Sequence, residues 1–302
     1  MRIGYPCINR SLGCTPSKTF RLASYTDERL SQTVTENLDC LKKILAYNVD
    51  HGLLFLRITS DLVPFASHPV CTFPWQEYFS PVLGELGDIC RNNGFRITMH
   101  PDQFVLLNSP DEEIVSRSIQ ELAYQAAILD LMELDLTARL QIHVGGVYGD
   151  KDAAMDRFVR TWSALPRPIQ SRLVIENDER MYSFADCMEI NRRTGIPVIA
   201  DTFHHALLNH DEPVGELLAI QKKTWKKKDG IPLVDYSSQQ VGKRPGAHAE
   251  HIVPDDFSRF LADSQPHDFD IMLEIKDKEK SALIARSCAA EDPRLIVSAP
   301  RS

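Results

Sequence analysis

Eight short apolar runs recur along this chain, and longer segments between them carry apolar residues at three- and four-residue steps. The runs are residues 2–5, 53–58, 96–99, 139–143, 172–176, 197–201, 231–236 and 269–274. The clearest longer segments are residues 27–46, 74–92, 111–134, 152–163 and 183–193. Short apolar runs indicate buried strands, and the longer periodicity indicates amphipathic helices. Eight strands that alternate with helices predict a parallel (β/α)8 barrel, or TIM barrel, in the α/β class.

The length and composition favour one domain. A chain of 302 residues with 43% apolar residues can bury one large core, and a parallel barrel commonly has this length. We therefore expect residues 1–302 to form a single barrel domain, with a poorly ordered tail from about residue 286. Seven cysteines without a C-x-x-C pair predict neither a disulfide framework nor a zinc ribbon. No segment resembles a membrane span or a signal peptide, so we expect a cytoplasmic protein in a reducing compartment.

The formal net charge of -8 argues at first sight against DNA as a partner, because phosphate binding normally needs a basic surface. Bound divalent cations would change this balance, since three of them would add about +6 where a phosphate must lie. One basic run, residues 222–228 around Trp225, is either a solvated helix end or an edge that contacts phosphates. Charge alone therefore excludes no partner.

The carboxyl ends of the predicted strands concentrate imidazole and carboxylate side chains. In a parallel barrel these ends converge on one face, where active sites lie. A lone histidine at a strand end is usually structural, but so many together indicate a metal site. Imidazole and carboxylate without thiolate suit zinc, manganese or iron. The residues on this face are Tyr5, Arg57, His68, His100, His143, Glu176, Asp201, His204, Asp235, His248 and Glu274.

Individual segments support a hydrolytic metal cluster. Glu176 ends a fully apolar strand, where an unpaired charge would be costly, so it needs a cation. His100 is followed by a proline, which places it on the rim of the barrel. His204 and His205 are adjacent candidates, of which we favour His204. Two or three ions would need bridging carboxylates, and Glu176 and Glu274 are the natural choices.

Several segments together closely resemble the UV damage endonuclease family. They are MHPDQF (99–104), IHVGG (142–146), IEND (175–178), DTFHH (201–205), VDYSSQ (234–239) and the opening IGYPCIN (3–9). The likeness runs from Arg2 to about Lys276, and the combination is far more specific than any one segment. It implies a barrel like that of endonuclease IV and the xylose isomerases.

The resemblance also implies a reaction. Up to three divalent ions, Mn²⁺ first and Zn²⁺ second, would serve incision of damaged double-stranded DNA. The cut would lie immediately 5′ of cyclobutane pyrimidine dimers and (6-4) photoproducts, without a nucleotide cofactor, and we expect a monomer.

By resemblance, nine residues would bind the ions: His68, His100, His143, Glu176, Asp201, His204, Asp235, His248 and Glu274. Glu176 and Glu274 would be the catalytic carboxylates that bridge ions or orient water. Gln103 and Phe104 would probe the damage, and Tyr5 and Asn9 would line the pocket for the flipped dimer. Phe104 packed in the barrel rim is the structural alternative.

The chain departs from the family pattern at two places. The family often has a lysine, sometimes carboxylated, and a histidine in the seventh strand, where this chain has Leu233 and Asp235. This departure changes the side chains available to bind a third metal ion. Phe104 stands where family members may have tyrosine, and that change affects the side chain that would probe the damage, not the metal chemistry.

Two other functions fit the same fold. A xylose isomerase-like sugar isomerase or epimerase also places histidines and carboxylates around divalent ions, but it needs fewer ligands than this chain offers. An abasic-site endonuclease of the endonuclease IV type would share the chemistry and differ in substrate. A protein that stores metal or binds DNA without catalysis is the alternative outside enzymes.

Overall fold

The computed structural model describes residues 1–208 and 212–298. Eight strands close into a barrel in sequence order, with every neighbouring pair parallel. The strands are β1 (Ile3–Pro6), β2 (Phe55–Ile58), β3 (Arg96–Met99), β4 (Arg139–His143), β5 (Leu173–Glu176), β6 (Val198–Asp201), β7 (Leu233–Tyr236) and β8 (Asp270–Leu273). The helices are α1 (Asp27–His51), α2 (Trp75–Asn93), α3 (Glu112–Leu131), α4 (Lys151–Ala164), α5 (Arg167–Arg172), α6 (Phe184–Thr194), α7 (Thr202–Leu207), α8 (Val214–Lys222), α9 (Pro254–Asp263) and α10 (Glu279–Cys288). The predicted parallel (β/α)8 barrel is confirmed.

Capping residues explain where the helices begin and end. The Asp150 side chain accepts a hydrogen bond from the Ala153 amide at the start of α4, and Ser183 and Asp186 form a capping box at the start of α6. Gly195 ends α6 with a φ of 74°, a left-handed conformation that glycine adopts without steric penalty. β6 begins three residues later, so the turn at Gly195 leads the chain from the helix into the next strand of the barrel.

Side chains alternate between the two sides of each strand, and this alternation creates two apolar layers. One side faces the helices and belongs to the main core, as at Leu56 and Val234. The other side fills the barrel with a smaller cluster of Phe55, Val174, Ile199, Trp225, Leu233 and Met272. Residues two positions further along the same strands point into the barrel beyond this layer, toward its carboxyl-terminal face.

The amino-terminal end of the barrel is closed by Trp225. This side chain is only 9% exposed, and its Nε1 donates a hydrogen bond to the carbonyl oxygen of Val198, the first residue of β6. The guanidinium groups of Arg96 and Arg139, at the starts of β3 and β4, each lie 5.6 Å from the Trp225 ring. The interpretation of Trp225 and the basic run as a phosphate-contacting edge is therefore wrong, because they lie at the end of the barrel opposite the strand-end ligands.

Two other expectations are corrected. A disulfide joins Cys14, in the loop after β1, to Cys40 in α1. No cysteine spacing predicted this pair, because the long loop brings Cys14 back onto α1 only in the folded chain. The tail is also not loose from residue 286: Arg286 lies within α10, and the amide of Ile296 donates to the carbonyl oxygen of Met1 at 2.8 Å. In the described ranges, no helix is long and apolar enough to span a membrane.

Candidate active site

Three carboxylates lie inside the barrel directly beyond the apolar layer. Glu176, Asp201 and Asp235 each lie two residues after an inward apolar residue of the same strand, so alternation points them to the same interior. Each residue is only 1% exposed. Isolated buried carboxylates are costly, so these groups need partners of opposite charge.

His100, His143 and Glu176 form one group of potential metal ligands. His100 Nε2 lies 2.6 Å from Glu176 Oε1, and His143 Nε2 lies 3.3 Å from the same oxygen. Burial would raise the pKa of Glu176, but His143 and His100 lower it well below its ordinary value. Two imidazoles and an ionised carboxylate that converge in this way suit a zinc or manganese ion.

Glu176, Asp201 and Asp235 form a second group, with one oxygen from each lying within 4.8 Å of the others. Burial raises the pKa of Asp201 well above its ordinary value, and Glu274, Asp235 and Glu176 raise it further against the opposing effect of His204. Burial also raises the pKa of Asp235 to about 7, although Arg57 opposes this shift. Because these carboxylates disfavour one another's charge, the group needs protons or a cation.

The donor set fits divalent metal ions. Asp235 Oδ1 is buried and has no hydrogen-bond partner within residues 1–208 and 212–298, and the same holds for His143 Nδ1. A buried polar atom without a partner is costly, and a ligand oxygen beside two other carboxylates is well placed to meet an ion. Glu176 belongs to both groups, so it is the candidate among the described residues for a ligand shared by two ions.

His204, His248 and Glu274 lie beside these groups. His204 Nδ1 is 3.2 Å from Asp201 Oδ2; burial lowers the pKa of His204, but Asp201 and neighbouring carboxylates raise it to about 9. His248 Nδ1 lies 2.7 Å from the carbonyl oxygen of Glu274, and the His204 and His248 ring centroids are 6.0 Å apart. These three residues extend the site along β6, β7 and β8.

Arg57 and Gln141 are central to the site but had no assigned role from sequence. Arg57 Nη1 donates to Glu274, and its Nη2 donates to Asp235 Oδ2 at 2.8 Å and to Gln141 Oε1 at 2.9 Å. Gln141 Nε2 donates to Glu176 Oε2 at 2.6 Å and to Asp235 Oδ2 at 2.5 Å. The signal for Gln141 was its position two residues before His143, on the same face of β4.

His68, Tyr5 and Asn9 are not part of these groups. His68 Nδ1 accepts a hydrogen bond from the Val70 amide at 3.0 Å, and its side chain lines a separate cavity. Tyr5 has no exposed surface: its hydroxyl donates to Asn48 Oδ1 at 2.7 Å and accepts from Asn9 Nδ2 at 3.0 Å. Asn9 is only 2% exposed, so Tyr5 and Asn9 do not form an open wall for a flipped dimer in this structure.

Gln103 and Phe104 lie on the loop beyond His100, and both are exposed. Phe104 is 54% exposed, which does not support its packing in the barrel rim. Gln103 lines a cavity of about 190 Å³ with His100, His143 and the loop of residues 178–181. The cavity therefore connects the loop that carries Gln103 and Phe104 with the ligand group of His100, His143 and Glu176.

The fold and this site define an α/β-barrel protein with a candidate divalent-metal centre at the carboxyl ends of its strands. The family model of UV-endonuclease UvdE matches residues 1–290. The chain therefore belongs to the UV-endonuclease family and is an endonuclease, an enzyme that acts on DNA.

Relatives named UV DNA damage endonuclease match over most of their length. The protein from Clostridium perfringens is 34% identical over 285 residues, which cover 94% of this chain and 69% of that protein. The protein from Bacillus thuringiensis subsp. konkukian is 33% identical over 293 residues, which cover 94% of this chain and 92% of that protein.

Among solved structures, SacUVDE is 45% identical with a TM-score of 0.92, and the match covers 96% of this chain and 98% of that chain. Endonuclease IV from Thermus thermophilus is 17% identical with a TM-score of 0.55, and the match covers 83% of this chain and 93% of that chain. D-psicose 3-epimerase from Clostridium cellulolyticum is 16% identical with a TM-score of 0.54, and the match covers 84% of this chain and 92% of that chain. The last two share the fold alone.

Proposed function

We propose that this enzyme incises double-stranded DNA immediately 5′ of cyclobutane pyrimidine dimers and (6-4) photoproducts, as a monomer and without a nucleotide cofactor. The observation that carries the proposal is buried Glu176, which belongs to both ligand groups at the open end of the barrel. The relatives named for UV DNA damage support the choice of substrate.

The two ligand groups, with His204, His248 and Glu274 beside them, would hold Mn²⁺, or Zn²⁺ as the second choice, at up to three positions. When bound, divalent ions supply charge neutralisation in the transition state and lower the pKa of the attacking water. The histidines and Asp201 would bind the ions, and Glu176 and Glu274 would orient the attacking water or bind more than one ion. Asp235 presents its unpartnered Oδ1 while Arg57 and Gln141 hold Oδ2.

Gln103 and Phe104 would select the damaged site. A lesion weakens stacking, so its nucleotides cost less to extrude than the few kcal/mol of an intact step. An exposed amide and an exposed aromatic ring on the loop after His100 are suited to enter the opened duplex. The loop after His100 would then place damage recognition directly beside the candidate metal ligands.

The test uses 5′-labelled duplexes that carry one pyrimidine dimer, one (6-4) photoproduct, one abasic site or no lesion. Each is incubated with enzyme and Mn²⁺, Zn²⁺ or EDTA. We expect a nick at the phosphodiester 5′ of each photoproduct, no nick in undamaged DNA and no nick in EDTA. Cleavage restricted to the abasic duplex would instead support an endonuclease IV type of activity, and turnover of a ketose without any nick would support a sugar epimerase.

A further inference from the structure

The segment between β7 and α9 forms a hairpin on the face that carries the candidate metal ligands. Gln239 and His248 make an antiparallel bridge, and the Gln240 amide donates to the Ala247 carbonyl oxygen at 2.7 Å. The Gln239 side chain donates to the Arg244 carbonyl oxygen at 2.9 Å and accepts from the Gly246 amide at 2.9 Å. These bonds give the hairpin, residues 239–248, a defined shape of its own.

The base of the hairpin is anchored to the site. His248 lies on its return arm, where Nδ1 is 2.7 Å from the Glu274 carbonyl oxygen and the ring packs edge-on against Phe203 at a centroid distance of 5.2 Å. A Cβ atom at Gly246 would lie 3.4 Å from the side chain of Glu179, so the return arm also packs against the loop after β5. The tip therefore projects from the rim of the site.

The tip of the hairpin carries one apolar and two basic side chains, all exposed. Val241 is 90% exposed, the most exposed of the large apolar side chains in the described part of the chain. Lys243 and Arg244 follow it, both are exposed, and neither forms a salt bridge with any described residue. An apolar side chain beside two unpaired cations, on an ordered support, is suited to a partner with phosphates and apolar ring faces.

We propose that this hairpin binds duplex DNA beside the lesion, with Lys243 and Arg244 on backbone phosphates and Val241 against the bases or sugars. The inference rests on the proposed function, since it needs DNA over the open end of the barrel. The chain as a whole carries a net charge of -8, so unpaired cations beside the site contribute strongly to phosphate binding. The basic run at Trp225 lies at the other end of the barrel and cannot serve this DNA.

The experiment measures binding of labelled irradiated and undamaged duplex by fluorescence anisotropy across a range of salt concentrations, with Ca²⁺ in place of Mn²⁺ to slow cleavage. K243A/R244A is compared with K226A/K228A, a matched loss of two lysine or arginine charges at the opposite end of the barrel. Since each phosphate contact adds about 1 to the slope of log affinity against log salt, we expect K243A/R244A to lower the slope by about 2. We expect K226A/K228A to leave the slope unchanged.

V241S separates the apolar contact from charge. We expect it to weaken binding of irradiated duplex more than binding of undamaged duplex, with an unchanged salt slope. A wild-type slope for K243A/R244A, an equal loss for both double variants, or unchanged binding by V241S would each overturn the proposal. If the wild-type enzyme fails to incise photoproducts while K243A/R244A still lowers the slope, the proposed function fails and the DNA-binding hairpin stands.

Discussion

Arg57 Nη2 lies 2.8 Å from Asp235 Oδ2 inside the barrel, and both side chains are almost completely buried. The same guanidinium also donates to Glu274, so one cation serves two carboxylates of the site. Burial opposes the charge of Glu274, yet Arg57 lowers the pKa of that carboxyl to about 2. Arg57 therefore supplies part of the positive charge that this site needs.

Replacement of Arg57 by methionine should leave Asp235 and Glu274 without their shared partner. We expect the metal-free variant to lose roughly 3–5 kcal/mol of unfolding free energy, because it leaves buried charges uncompensated. Mn²⁺ should then stabilise it more than it stabilises the wild type, since an ion can replace the lost charge. Urea unfolding in EDTA and in Mn²⁺ measures both effects. Arg139→Met, which removes the buried one of the two cationic partners of Asp229 at the other end of the barrel, is the control. An identical Mn²⁺ response of the two variants would contradict the prediction.

Asp235 should bind an ion directly through Oδ1. Leu233, two residues earlier on the same face, lies in the apolar layer and has no amine that could form a bridging carbamate. We expect Asp235→Ala to bind less Mn²⁺ and to incise more slowly, as measured by metal content after dialysis and by single-turnover kinetics. A metal-bound structure should place the carboxylate about 2.0–2.6 Å from an ion. A gap of more than roughly 4 Å together with unchanged incision would refute the assignment, because such a gap exceeds any carboxylate–metal bond.

Glu176→Gln should retain DNA binding and lose incision. The amide can still hydrogen-bond to Gln141 and His100, but it cannot bridge cations as a carboxylate does. We expect at least a hundredfold loss of single-turnover rate, roughly the loss of one major electrostatic contribution. Glu189→Gln, the same change at an exposed site on α6, is the control. Near wild-type cleavage at saturating Mn²⁺ would remove Glu176 from its bridging role.

The double variant Gln103→Ala with Phe104→Ala should weaken binding to dimer-containing duplex much more than it slows cleavage of bound substrate. The physical reason is that these exposed side chains belong to neither ligand group yet lie on the loop after His100. Equilibrium binding and single-turnover rates at saturating enzyme separate the two effects. Tyr78→Ala, which removes an exposed aromatic from α2, should alter neither. An equal loss of rate and of affinity would make the pair catalytic.

Asp292 should link stability to acid pH. A hydrogen bond from Arg294 lowers the pKa of Asp292, and Arg294 also donates to the Leu261 carbonyl oxygen at 2.9 Å. The Asp292 carboxyl therefore binds a proton less tightly in the folded state than in the unfolded chain. Its contribution to stability is complete above the unfolded pKa of about 3.9, and it is lost as pH falls through the lower pKa of the folded state. We expect Asp292→Asn to cost about 2 kcal/mol at neutral pH and to lose less stability than the wild type below about pH 4. Thermal unfolding from pH 7 to pH 2.5 measures the difference, and parallel acid profiles would exclude the link.

The amino-acid sequence alone predicts the eight strands, their parallel order and the concentration of histidines and carboxylates at their ends. These features are local: period two and period 3.6 mark the elements, and a parallel barrel brings strand ends together whatever their exact neighbours are. Glu176, Asp201 and Asp235 could be picked out in this way, because each ends a short apolar run.

Which of those side chains contact one another depends on how the barrel closes. Arg57 faces Asp235 across the barrel although 178 residues separate them, and His68 and Tyr5 lie apart from the ligand groups. The disulfide between Cys14 and Cys40 and the burial of Trp225 at the opposite end depend on loop paths in the same way. Such pairings arise from barrel closure and long-range packing, which residue spacing along the chain does not encode.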